Sequence, residues 1–154
     1  MLGEAVIDAD VTLTGIAAFN FATGASLVKS LKFTVEEEEM LVDLKALCSL
    51  HHSVVEGDVD YTLFLDGVDV APLAVGLGRK HMPTVLNAVD TLSFERTMRV
   101  AKGEHQLQLH MKTGLVAGNI IVDGATWNGW LTARRHDHPA TAAAQTNSKV
   151  QGVY

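Results

Sequence analysis

The chain has a single cysteine, Cys48, and only three prolines in 154 residues. One thiol makes no internal bridge, which excludes a disulfide-stapled secreted scaffold. Cys48 reads as a small buried apolar residue rather than a reactive thiol. Aromatics make up 6% of the residues and charges 19%, against about 25% charge in an average globular protein. Basic residues are the minority, 12 Lys and Arg against 18 Asp and Glu, for a formal net charge of -6. That balance lacks the basic face of a general nucleic-acid binder. No run of about 18 apolar residues exists, so no transmembrane helix is expected. The first residues, Met-Leu-Gly-Glu-Ala, carry neither the basic start nor the apolar stretch of a signal peptide.

What is present is enough apolar sequence for one domain. A chain of this length buries roughly 70% of its unfolded surface and needs no metal to fold. The low charge, with a mean hydropathy of +0.16, has two readings. Either the core is large and the loops are rich in Ala, or part of the surface is covered in an oligomer or against a scaffold. The acidic excess is concentrated in Glu36-Glu37-Glu38-Glu39, which reads as a solvated strand end or loop.

The pattern of the chain is that of strands. Val59, Tyr61, Leu63 and Leu65 share one parity, with Asp60, Thr62 and Asp66 on the other. This period of two predicts a strand with one buried face. Asp66-Gly67 then supplies the positive φ angles of a tight hairpin turn, and Val68 starts the return strand. Leu31, Phe33 and Val35 alternate against Lys32, Thr34 and Glu36. Residues 36–50 are ambiguous. Met40, Leu41, Leu44, Leu47 and Cys48 fall at helical spacing behind a capping box at Thr34–Glu37, yet Val42, Leu44, Ala46, Cys48 and Leu50 also alternate. Agreement with the β neighbours favours a strand.

Residues 72–90, with Pro83, suit a crossing between two sheets. Leu92, Phe94, Met98 and Val100 form a strand, Ala101-Lys-Gly-Glu104 a turn, and His105, Leu107, Leu109 and Met111 the returning strand of a hairpin. Two further turn signals compete, Asp123-Gly124 and Asn128-Gly129. The first is preferred and gives a final strand from about Ala125. The second would pair Trp127 with Trp130 across a hairpin. The expected fold is therefore all-β, an antiparallel two-sheet sandwich of the jelly-roll kind with about eight strands. Residues 27–135 form the domain, between an N-terminal arm over 1–26 that includes Phe19 and Phe21 and a polar C-terminal tail over 136–154.

Catalytic patterns are scarce. His136-Asp137-His138 offers two imidazoles and a carboxylate to a metal, but it needs ligands from elsewhere and otherwise reads as a solvated strand end. A cupin-like metal enzyme would have to be built on it. His51 and His52 face opposite sides of a strand, as do His105 and His110, one of which reads as a satisfied core histidine. Gly76-Leu-Gly-Arg-Lys80 lacks the glycine spacing and the Lys-Ser/Thr ending of a phosphate loop, and no Gly-x-Ser-x-Gly elbow is present. No enzymatic activity, no cofactor and no bound metal are expected.

The segments Tyr61-Thr-Leu-Phe-Leu-Asp-Gly67, Leu92-Ser-Phe-Glu-Arg96, Val100-Ala-Lys-Gly-Glu-His-Gln-Leu-Gln-Leu-His110 and Leu131-Thr-Ala-Arg-Arg135 occur in an order that resembles small jelly-roll modules of tailed-phage virion proteins. These include capsid decoration (cement) proteins and fibre or tail-tip heads with a TNF-like sandwich. The resemblance covers roughly residues 27–135. It implies a homotrimer on the capsid surface of a virion made in the host cytoplasm, bound to the major capsid protein, with no catalysis and no contact with nucleic acid or membrane. The fibre-head branch of the same resemblance implies a receptor- or carbohydrate-binding role instead. The four-glutamate run and the length of the tail have no counterpart in it.

Overall fold

The computed structural model describes residues 1–13, 26–52, 57–71, 76–82, 89–113, 120–124 and 128–136. Among them are nine strands and no helix: β1 (Gly3–Ile7), β2 (Val11–Thr12), β3 (Ser26–His52), β4 (Gly57–Leu65), β5 (Val68–Asp69), β6 (Gly78–Met82), β7 (Val89–Thr113), β8 (Ile120–Val122) and β9 (Gly129–Arg135). All strand pairings are antiparallel, in the order β1-β9-β3-β7-β4-β5, with β2 and β8 at one end and β6 beside β4. The all-β antiparallel sandwich expected from the alternation is present. Residues 36–50 are strand throughout, and Val42, Leu44, Ala46, Cys48 and Leu50 are the buried set.

Two strands are much longer than the sequence predicts. β3 runs through the four glutamates, and β7 runs through Ala101–Glu104, so the expected turn at 101–104 is not a hairpin. Its local chemistry is nevertheless unusual. Val35 pairs with Gly103 and Glu39 with Ala101, so Glu36, Glu37 and Glu38 stand opposite Lys102 alone. This is a bulge, and Gly103 meets it at a φ of 130°. Buried positions change parity in both strands at this point, from Leu31, Phe33 and Val35 to Met40, Val42 and Leu44 in β3, and from Leu92 and Val100 to Leu107, Leu109 and Met111 in β7. A one-residue slip reverses which side chains face the core. The two long strands therefore bend together and continue as members of a second layer.

Layer 1 consists of β1, β9, β8, β2 and the halves of β3 and β7 on one side of the bend. Layer 2 consists of the other halves with β4, β5 and β6. The layers share one apolar core. Tyr61 of β4 meets Phe94 of β7 across it, with ring centroids 4.3 Å apart, and Gly3 of β1 lies against Leu31 and Phe33 of the opposite layer. Each fully buried Leu or Val here stabilises the fold by about 1.5–3 kcal/mol.

Other expectations are corrected or extended. β8 and β9 both pair with β3, at Leu50–His52 and at Val42–Leu47. They occupy one lane with an interruption between them, so neither Asp123-Gly124 nor Asn128-Gly129 is a hairpin turn, and the last strand begins at Gly129 rather than near Ala125. β1 and β2 follow the same lane pattern against β9 and β8, so residues 3–7 and 11–12 of the expected N-terminal arm are strands of the sheet. Residues 14–25 of that arm, including Phe19 and Phe21, lie outside the described residues, as does the tail from Asp137 onward. The chain does pass from layer 2 at β6 to layer 1 at the start of β7, and β6 is an added strand within the expected crossing. Asp66 and Gly67 have φ angles of 53° and 83°, the signature of a type I′ hairpin turn.

Candidate functional site

The outer faces of the two layers are chemically different. On layer 2, antiparallel register places Arg79, Asp60 and Lys112 in one row across β6, β4 and β7. Arg79 donates from Nε and Nη2 to the two Asp60 oxygens at 2.6 and 3.1 Å, and Lys112 Nζ donates to Asp60 at 3.0 Å. Asp60 is 3% exposed and Lys112 1%, so these charges are desolvated and balanced against one another. On the same face Thr62 Oγ1 donates to Asp69 at 2.7 Å, and Phe64 stacks on His110 at 4.4 Å. The phosphate-loop-like segment thus contributes Arg79 to a structural ion pair.

On layer 1 the corresponding face is open. One row across β1, β9, β3 and β7 reads Glu4, Thr132, Lys45, Glu95, and the next reads Val6, Trp130, Leu47, Ser93. Glu4, Lys45, Leu47, Glu95, Trp130 and Thr132, with Met1 and Arg134, line a shallow groove of about 330 Å³. Trp130 and Val6 are each 37% exposed, and Leu41 is exposed farther along the same face of β3. Among the described residues, Glu4, Lys45, Glu95 and Arg134 form no ion pair with one another. The groove presents an indole toward one end, with two carboxylates, two cations and a hydroxyl beside it. Trp127, the other tryptophan singled out in the sequence, lies outside the described residues.

The histidines are mostly committed to aspartates. His51 Nδ1 lies 2.7 Å from Asp123, whose other oxygen accepts from Ser49 Oγ at 2.9 Å. Serine here bonds the carboxylate and not the imidazole, so the three do not form a nucleophile relay, in which the base must contact the hydroxyl. They tie β3 to the end of β8. His81 Nδ1 lies 2.9 Å from Asp58. His136, a metal candidate in the sequence, sits 2.9 Å from Asp43, which also accepts from Thr97 Oγ1 at 2.6 Å. Its companions Asp137 and His138 lie outside the described residues. Among the described residues no group of three or more His, Cys, Asp or Glu is arranged to hold a metal. No described helix is long and apolar enough to cross a membrane.

No family model and no curated protein matches this sequence. Solved structures share its general course. A structure of the infectious bursal disease virus Gx strain aligns with a TM-score of 0.45 at 12% identity, covering 84% of this chain and 35% of that one. Dimeric latent PorU from Porphyromonas gingivalis aligns with a TM-score of 0.41 at 11% identity, covering 88% and 13%. A family 35 carbohydrate-binding module from Clostridium thermocellum aligns with a TM-score of 0.35 at 10% identity, covering 82% and 90%. The chain spans only 13% to 35% of PorU, a Podospora anserina mannanase, a Paenibacillus glucanotransferase and the Gx strain chain.

Three further groups complete the electrostatics. Burial, and then the charge of Asp123, push the Cys48 thiol up to about 12, so the cysteine is chemically inert at neutral pH. Burial pulls His110 below the ordinary imidazole value, against the charge of Asp69, and its Nδ1 is buried without a hydrogen-bond partner. His105 differs. Its Nδ1 lies 2.6 Å from Asp66 Oδ2 and its Nε2 2.7 Å from the Ala101 carbonyl. Burial opposes its charge, but the hydrogen bonds to Asp66 and Ala101 and the Asp66 charge outweigh that and hold it above the ordinary value. Burial likewise opposes the Asp66 carboxylate, yet its bonds from His105 and from the Gln106 N–H hold it below the usual range. The sequence showed Asp66 only as a turn residue. Nothing local links it to His105, which is 39 positions away.

Proposed function

We propose that this chain is a structural, non-catalytic virion protein that self-associates as a homotrimer, binds the major capsid protein and stabilises the shell from its outer surface. The observation that carries the reading is the open face of layer 1. It combines exposed Trp130, Val6 and Leu41 with uncommitted charges of both signs, whereas the opposite face is internally neutralised. An exposed tryptophan beside polar and charged groups is the composition of an interface hot spot. Low overall charge and the resemblance to decoration modules support the same reading. The mechanism is mass action: a protein that binds only the intact shell raises the cost of separating its subunits.

Heating shells of the encoding virus, prepared with and without the protein, tests this. Shells lacking it are expected to come apart at lower temperature, wild-type protein added back restores them, and Trp130→Ala does not. The free protein should have a solution mass about three times 16.5 kDa. Equal melting of the two preparations sinks the reading.

A second reading is favoured by the groove itself. Two acids and two bases cancel around Trp130 and Thr132, a setting that suits a neutral polyhydroxylated ring stacked on indole. In that case the chain is the carbohydrate- or receptor-binding head of a fibre or tail protein. Titrating neutral oligosaccharides against tryptophan fluorescence discriminates the two, and silence across a glycan array removes this one.

A further inference from the structure

We propose that the Asp66–His105 pair is a proton-operated latch that fastens the turn between β4 and β5 to the bend of β7, closed while His105 carries both ring protons and released when it loses one. The inference stands apart from the shell-binding reading and does not depend on it.

The geometry requires the charged ring. Both partners of His105 are oxygens that only accept, the Asp66 carboxylate at 2.6 Å and the Ala101 carbonyl at 2.7 Å. A neutral imidazole has one N–H and serves one of them, leaving a lone pair against the other oxygen. The imidazolium serves both with short, charge-assisted bonds. The ring thereby joins three pieces of chain: the turn at Asp66, the residue before the Gly103 bulge at Ala101, and the strand after it. Asp66 is committed from both sides, since its Oδ1 accepts from the Gln106 N–H at 2.8 Å while its own N–H donates to the Gln106 carbonyl at 2.8 Å. It is also the only described non-glycine residue at positive φ. Such a backbone persists where its surroundings determine it.

The neighbours do not override the pair. The hollow around it is lined by Lys32, Phe33 and Thr34 from β3, by Asp66 from the turn, and by Glu104 and Gln106 from β7. Lys32 and Glu104 bring opposite charges to the rim, and the charge that acts on His105 is that of Asp66. Phe33, with its ring centroid 5.5 Å from that of His105, favours the cation as well. The sign follows from the two shifts. A histidine raised above 6.5 on folding stabilises fully below 6.5, and loses that contribution as pH rises through its raised value. A carboxylate lowered below 3.8 stabilises fully above 3.8, and loses it as pH falls through its lowered value. The latch is closed between those limits and opens as pH rises through the raised value of His105.

Long-range proton–nitrogen NMR of the histidine rings, followed across the neutral range on the full chain, tests it. Both His105 nitrogens are expected to be protonated at pH 6.5 and to titrate above it. Amide protection at Asp66, Gly67 and Gln106 should fall through the same titration, after correction for intrinsic exchange. Asp66→Asn keeps a residue that tolerates the left-handed turn but removes the charge, and should bring the His105 midpoint down to the ordinary value or below. A neutral His105 at pH 6.5, protection that stays flat through its titration, or an unchanged midpoint in the Asn variant overturns the latch. If that variant does not fold, the wild-type titration still decides. His105→Gln, in which protection should lose its pH dependence, decides with it.

Discussion

The outer faces of the two layers use the same cross-strand geometry to opposite ends. On layer 2 a row of three charges, Arg79, Asp60 and Lys112, is bonded internally, with Asp60 and Lys112 buried and Arg79 capping them from the exposed side. On layer 1 a row with three charges, Glu4, Lys45 and Glu95, lies exposed beside Trp130 with no ion pair formed among them. Adjacent residues in a row interact at Cβ distances of about 5 Å, so either row could have been cross-linked. A face whose charges are neutralised at home offers little to a partner. A row whose charges form no ion pair among the described residues, beside a large aromatic, has its interactions still to make. The difference identifies layer 1 as the side to test for binding and layer 2 as the side to test for stability.

The largest effect is expected on the buried row. Asp60→Ala removes the carboxylate that Lys112 faces at 3.0 Å and should cost about 3–5 kcal/mol, the range for breaking a buried ion pair from one side. Urea unfolding measures it. A loss under about 1 kcal/mol, the scale of a surface pair, would erase the distinction between the faces. Next comes the seam that carries the open face. A Cβ at Gly129 would collide with the Leu47 carbonyl oxygen, so Gly129→Ala should push β9 away from β3 at a cost of about 1–3 kcal/mol. Because Trp130 rides on β9, the same variant should also lose partner binding, whereas Asp60→Ala protein that remains folded should retain it.

The covered face has one flaw, His110. Its Nδ1 is buried and unbonded, and its ring packs on Phe64. The folded state favours the neutral ring, so a histidine lowered below 6.5 is fully stabilising above 6.5 and loses stability as pH falls through its lowered value. His105, five positions away on the same strand, has the opposite slope. His110→Phe replaces an unpaired polar atom with ring carbon and is expected to gain about 1 kcal/mol. It should also flatten the acid side of the stability profile while leaving the alkaline side, which His105 governs, in place. Thermal melts at a series of pH values separate the two.

Much of the strand pattern was legible because alternation reports burial directly. Leu31, Phe33 and Val35, Val42 through Leu50, and Leu107 through Met111 are buried as their parity required. Connectivity was less legible, and for a physical reason. Ala101-Lys-Gly-Glu104 has turn chemistry because Gly103 does adopt a positive φ, but a bulge and a hairpin ask the same of a glycine. Only the partner strand, with Glu36–Glu38 looped out opposite Lys102, tells them apart. The same holds for Asp123-Gly124 and Asn128-Gly129. Gly124 is small because the Ala9 backbone lies against it, and Gly129 because Leu47 does; both are close approaches, not reversals. The groove around Trp130 was not legible at all, since its residues come from four strands far apart in the chain. Of the tryptophan pair the sequence did single out, Trp130 is the member the structure places on the open face.

The smallest effect on folding should fall on the open row, and it is the sharpest test of the comparison. Lys45→Ala and Glu95→Ala remove exposed charges that form no ion pair among the described residues, so each should move stability by less than about 0.5 kcal/mol. Deleting the charge at Asp60, by the same chemistry, is expected to cost several times more. Binding should invert that order. Exposed charges around an interface centre steer encounter and set register more than they hold the complex. The two variants should therefore slow association with the shell and make it less sensitive to salt, with little change in dissociation. Surface plasmon resonance at two ionic strengths measures both rates. Should Lys45→Ala and Glu95→Ala leave association and its salt dependence untouched while Trp130→Ala abolishes binding, recognition is apolar and the uncommitted charges are only solubilising. Should all three variants bind as wild type does, the open face is not the binding face.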